Sequence, residues 1–182
     1  METVADRYRR LADAVTATIS EVPDGAWANP SPCPGWSARD VLAHLVDVHG
    51  RFQELVGRSP VDHPTVEEDP LGAFTAVREQ MQADLEDPAR AAEEYEGRFG
   101  RSTFGDAVAG FVCFDLVVHR WDLGRAAGVA VELDPRDVEQ VSGVVDKMGQ
   151  VMRDNGAIGA PVPAPADATP QQLLLADLGR SG

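Results

Sequence analysis

The chain has 182 residues, 43% of them apolar, and its 30 acidic against 16 basic side chains give a formal net charge of −14. That length suits one domain over 1–182 with a real core, and a field of that sign repels nucleic acid and anionic membranes, uncorrected by the short basic stretch Arg7, Arg9 and Arg10. Cys33 and Cys113 form no C-x-x-C pair, the N-terminus carries no apolar signal core, and no run approaches the roughly 20 apolar residues of a membrane helix, so the expected location is the cytoplasm.

Val4, Tyr8, Leu11, Val15, Ile19 and Val22 recur at helical spacing and predict a first helix over 3–22, stopped by Pro23, Asp24 and Gly25. The segment NPSPCPGWS (29–37) is a rigid loop. Ser37 is an N-cap, with Asp40 placing a carboxylate in the first turn of a second helix that runs to about Gly57. A proline-rich loop over 58–70 leads to a third helix, about 70–86, with Phe74, Val77, Met81 and Leu85 as its stripe. Residues 88–102 are poorly patterned, and EYEGRFG reads equally as an extended excursion or a turn. The fourth helix, about 103–127, is the most apolar and stops at Gly128. Asp134 and Pro135 open a fifth, ended by Gly156. A proline-rich strap (160–170) precedes a last short helix in PQQLLLADLG. With no repeat and no convincing alternating strand, four long amphipathic helices plus extras predict an all-α helix bundle.

Three polar residues break the apolar pattern. At about 100° per residue, Val41, Val48, Phe52 and Leu55 surround His44 on the second helix, which turns His44 toward the core. On the fourth helix Asp115 and His119 are one turn apart, Asp122 follows on the same face, and Val108, Phe111, Val112 and Leu123 flank them. Burying such groups unpaired costs several kcal/mol, so either a hydrogen-bonded network or a metal ion must compensate. Bundles build metal sites from ligands one turn apart on facing helices. Two imidazoles and a carboxylate suit zinc, with nickel or iron as alternatives, and leave positions open for water or substrate. Against this, a core histidine is ordinarily a hydrogen-bonded packing residue, and an i,i+4 acid–base pair supports any helix.

His49 lies about 140° from His44 on the same helical count, which reads as a rim or surface residue. Cys113 falls on the far side from Asp115 and reads as packing. Cys33 reads as a small packing residue, with a reactive thiol as the alternative. His63 is given no role, and Trp36 and Trp121 read as core or helix-contact aromatics. Asp122 either orients a ligand histidine or forms a salt bridge. Nucleophile-elbow, zincin, phosphate-loop and dinucleotide motifs are all missing.

PCPGWSARDVLAHLV (32–46), DLVVHRWDLGRAAG (115–128) and the terminal LLLADLGR resemble the DinB-like superfamily. Within it they are most similar to the actinobacterial group related to the N-terminal domain of mycothiol-dependent maleylpyruvate isomerase. The resemblance covers most of the chain in order. It implies an up-down-down-up four-helix bundle, here with additional C-terminal helices. It also implies a divalent metal held by one histidine of the second helix and two residues four apart on a later one. Carried over, these are His44, Asp115 and His119, the residues that the face argument reaches independently. Members of known activity are thiol-dependent transferases and isomerases, in which the metal holds the sulfur of a low-molecular-weight thiol such as mycothiol as thiolate. Two departures stand out. Asp115 occupies a position where relatives often carry histidine or glutamate, and its reach is shorter. The sterol-carrier-like second domain of the isomerase is missing, which argues against that particular reaction.

Two functions are therefore expected to compete. One is a metal-dependent thiol transferase or isomerase acting on a thiol and an electrophilic substrate. The other is a non-catalytic helical module that binds a ligand or partner, its polar triplet serving structure alone. A homodimer through a bundle face suits either, though no feature demonstrates one.

Overall fold

The computed structural model describes residues 2–97 and 100–181. Its frame is four helices: α1 (Val4–Glu21), α2 (Ala38–Leu55), α3 (Pro70–Glu86) and, after shorter elements, α6 (Cys113–Ala127). Both α1 and α2 pack on both α3 and α6, so each pair occupies one diagonal of a square bundle.

Side-chain bonds between helices fix the directions. Arg7 Nη1 donates to the Ala109 carbonyl (3.3 Å) and Arg120 Nε to Thr18 Oγ1 (3.1 Å), early to early and late to late, so α1 and α6 run parallel. Gln82 Nε2 reaches the Ala5 carbonyl (3.3 Å) and Arg78 Nη1 reaches Thr16 Oγ1 (2.6 Å), so α3 runs against α1. Asn29 Nδ2 donates to the Ala126 carbonyl (3.0 Å), which sets the entry to α2 against the exit of α6. The result is the expected all-α, up-down-down-up, DinB-like arrangement.

Local chemistry explains where these helices begin and end. Ser37 Oγ accepts the Asp40 N–H (3.2 Å) while the Asp40 carboxylate accepts the Ser37 N–H (2.8 Å), a reciprocal cap that starts α2. Gly128, at φ +74°, supplies the left-handed residue that ends α6. Tyr8, Leu11 and Val15 of α1, Leu42 and Leu45 of α2, Phe74 and Met81 of α3, and Leu116 and Leu123 of α6 fill the centre. Each such side chain contributes about 1.5–3 kcal/mol by leaving water. The added C-terminal helices are α7 (Pro135–Asp154) and α8 (Pro170–Asp177), which pack on each other. Among the described residues no helix is long and apolar enough to cross a membrane.

Two local expectations need correction. The fourth helix is not one regular rod. A short α5 (Phe104–Ala107) passes into a π-helical turn over Val108–Val112, closed by the Cys113 N–H on the Val108 carbonyl, before α6 begins. The regular 100° count therefore fails one turn ahead of Asp115. Phe111, expected in the buried stripe, is instead 40% exposed, its ring centroid 6.2 Å from that of Phe52.

The unpatterned stretch holds a brief helix α4 (Pro88–Ala91) and a hairpin of β1 (Glu94–Gly97) and β2 (Gly100–Thr103), with Tyr95 opposite Ser102. Strands reading EYEG and GRST have no apolar alternation to betray them, because neither covers a core.

Candidate metal centre

Three pieces of chain meet where α2 faces α6: the proline-rich loop before α2, α2 itself, and the middle of α6. The loop is closed on itself and pinned down. The Ser31 N–H bonds the Trp36 carbonyl (2.8 Å), the Trp36 N–H bonds the Cys33 carbonyl (3.0 Å), and Gly35 makes the turn at φ +81°. With Asn29 tied to the end of α6, Cys33 and Trp36 are held over that helix.

His44, Asp115 and His119 come together as expected. One donor atom from each lies within 4.8 Å of the other two. His44 Nε2 stands 3.4 Å from Asp115 Oδ2, and the two imidazole centroids are 4.8 Å apart. Donors on a tetrahedral zinc at ~2.0–2.1 Å are separated by about 3.3 Å, and the His44–Asp115 pair stands near that spacing. The indole of Trp36 covers both rings at 5.0 and 5.9 Å. The side chains of His44 and Asp115 remain 25% and 24% exposed, so the group opens onto solvent rather than being sealed between the helices.

Below it, His119 is oriented by a buried carboxylate. His119 Nδ1 donates to Asp122 Oδ2 (2.9 Å), which leaves Nε2 as the nitrogen able to meet an ion. Asp122 is completely buried. Arg180, from the far end of the chain, grips it with two parallel bonds, Nε to Oδ1 (2.9 Å) and Nη2 to Oδ2 (2.7 Å). Burial alone would raise the Asp122 carboxyl; hydrogen bonds from His119 and Arg180 outweigh it and hold the group below its ordinary range. Both expected roles of Asp122, orienting a histidine and pairing with a base, are therefore present together.

Cys33 belongs to this cluster. Its thiol donates to Asp122 Oδ2 (3.3 Å), with Sγ 3.9 Å from His119 Nδ1. Burial, with the nearby Asp122 charge, pushes the thiol up to about 12, so it stays protonated at neutral pH. Cys33, His119 and Asp122 are also close enough to form a donor set. In that set the Asp122 oxygens are already engaged by Arg180 and His119.

The expectation for His49 fails. It is not at the rim but 1% exposed. Its Nδ1 donates to the Leu45 carbonyl (2.6 Å), so Nε2 accepts from the Tyr8 hydroxyl (2.7 Å). The buried arc of α2 centres near Leu45; His49 lies about 40° from it and His44 about 100°. His44 is the edge residue, which is what leaves it accessible. Cys113 is buried packing, as expected. Trp36 is a helix-contact aromatic, as expected, partly buried against the core with its indole beside His44 and His119.

Sequence reasoning missed Trp36, Cys33 and Arg180. For the first two a signal existed, since they sit in the rigid loop directly before the His44 helix. Arg180 closes the terminal LLLADLGR stretch, but nothing in the sequence pairs it with Asp122, 58 residues away.

Residues 8–124 match the mycothiol maleylpyruvate isomerase N-terminal domain family, a span that includes His44, Asp115 and His119. Two uncharacterized proteins of Mycobacterium tuberculosis, from two strains, are each 27% identical over 179 residues, covering 96% of this chain and 96% of their own length. No solved structure matches the chain.

Proposed function

Because the chain belongs to the mycothiol maleylpyruvate isomerase N-terminal domain family, we propose that it is a metal-dependent thiol S-transferase or isomerase. In this reading His44, Asp115 and His119 hold a divalent ion, zinc by donor chemistry, with nickel or iron as alternatives. The observation that carries it is the convergence of two imidazoles and a carboxylate from α2 and α6, with His44 and Asp115 partly exposed to solvent. The ion, when bound, supplies the positive charge that converts a thiol into a nucleophilic thiolate at neutral pH.

The remaining work falls to the chain. Asp122 keeps the proton of His119 on Nδ1 and so leaves Nε2 free to accept or ligate. Trp36 shields the two imidazoles from water on one side. In this reading the reacting sulfur comes from a low-molecular-weight thiol, mycothiol or a similar compound, while the Cys33 thiol is bonded to Asp122. The cytoplasm, where both free cysteines stay reduced, is its place of action.

The test is mycothiol-dependent consumption of a panel of small electrophiles by zinc-loaded protein. Turnover that falls at least 100-fold in both His44→Ala and His119→Ala is expected. Undiminished turnover in these variants contradicts the proposal. Bound metal with no turnover for any thiol tried would leave the non-catalytic binding module.

A further inference from the structure

We infer that Arg180 is a positioning residue for the metal centre: it locks Asp122, and through Asp122 the tautomer and ring plane of His119. This deepens the reading above and rests on it. Arg180 lies beyond residues 8–124, the span of the family match, at the end of the terminal LLLADLGR stretch.

The argument begins with the arginine itself. Arg180 is 8% exposed, and each of its side-chain nitrogens is engaged: two bonds to Asp122, Nη1 to the Leu178 carbonyl (2.9 Å), and Nη2 also to Cys33 Sγ (3.5 Å). A buried ion pair is weak evidence for stability, because desolvation offsets much of its attraction. What a two-point fork does supply is direction, since parallel bonds fix the carboxylate plane. Asp122 Oδ2 then faces His119 Nδ1 at 2.9 Å. A neutral imidazole whose Nδ1–H is held in this way exposes only Nε2 as an acceptor.

The backbone is shaped to deliver this side chain. Gly179 sits at φ +84°, and a Cβ there would come within 2.9 Å of the Ala160 carbonyl oxygen. The chain turns sharply after α8 at a position that only glycine accepts, and the next residue enters the core beneath the site. The Arg180 N–H is itself tied to the Leu175 carbonyl (2.8 Å). The C-terminal segment thus forms the floor of a site whose walls are α2 and α6.

The experiment compares wild type, Arg180→Gln and Arg180→Lys in two readouts. Zinc affinity is measured by competition with a chromophoric chelator. The His119 tautomer is read from imidazole 15N shifts in metal-free protein. Partners that orient a metal-ligating histidine typically change affinity 10–100-fold, so zinc affinity is expected to fall by that factor in Arg180→Gln and by less in Arg180→Lys. The single Nδ1–H tautomer of the wild type is expected to become a mixture in Arg180→Gln. Unchanged affinity and an unchanged tautomer in a folded Arg180→Gln overturn the inference, even if its melting temperature drops. Should Arg180→Gln not fold, Arg180→Lys decides on the same two readouts. If wild-type protein binds no zinc, the metal reading fails, and the tautomer comparison alone decides whether Arg180 positions His119.

Discussion

The imidazole of His49 is sealed inside the bundle, and that has a consequence for acid stability. Burial drives its pKa down to about 4, against the Leu45 carbonyl and the Asp115 charge, which favour the proton, and with Arg78, which disfavours it. Tyr8 approaches from α1, its own phenol raised well above the ordinary value by burial, and Phe74 packs edge-on from α3. In the unfolded chain the ring takes a proton below about pH 6.5; in the folded chain it stays neutral to about pH 4. The unfolded state therefore binds the extra proton within that window, and stability falls as pH drops through it. The loss is on the order of 3 kcal/mol by pH 4. Urea midpoints at pH 7, 5.5 and 4.5 should show this slope in wild type and a shallower one in His49→Gln, whatever its absolute stability. Equal slopes would contradict the assignment. The same residue marks a limit of helical-face reasoning. The apolar arc of α2 is wide because it meets both α3 and α6, so either histidine could be taken as the inward one until both neighbours are in place.

Among the elements, α2 carries His44, and its start rests on the Ser37–Asp40 cap. Losing such a cap costs about 1 kcal/mol, or a Tm lower by about 3 °C for a chain of this size. Ser37→Ala should show that drop by calorimetry while retaining the zinc stoichiometry of wild type, because α2 is also held by its packing on α3 and α6. A lost site would mean instead that the cap, and not the bundle, sets the register of His44. Elements of this kind were legible from sequence. Ser37 and Asp134 mark helix starts, Gly128 and Gly156 mark stops, and the apolar period fills the intervals. The hairpin and the π turn were not. The first buries no apolar face, and the second depends on how five consecutive residues close their backbone bonds.

At the scale of the whole molecule, the site divides along the same line. His44, Asp115 and His119 were legible because each is polar at a position where its helix turns inward or to its edge, and two of them share one helix. The floor of the site was not legible, since Arg180 meets Asp122 across 58 residues and only the completed fold joins them. The rigid loop that brings Cys33 and Trp36 over α6 likewise needs its tie to Ala126. The seven residues that meet here thus come from four parts of the chain, the loop before α2, α2, α6 and the C-terminal segment, around one set of donors open to solvent. Elemental analysis of purified protein after zinc loading and desalting tests the central claim most directly, with His44→Ala and His119→Ala alongside. About one divalent ion per wild-type chain, lost from both variants, is the predicted result. Wild-type protein free of metal, or variants that retain it in full, would contradict it.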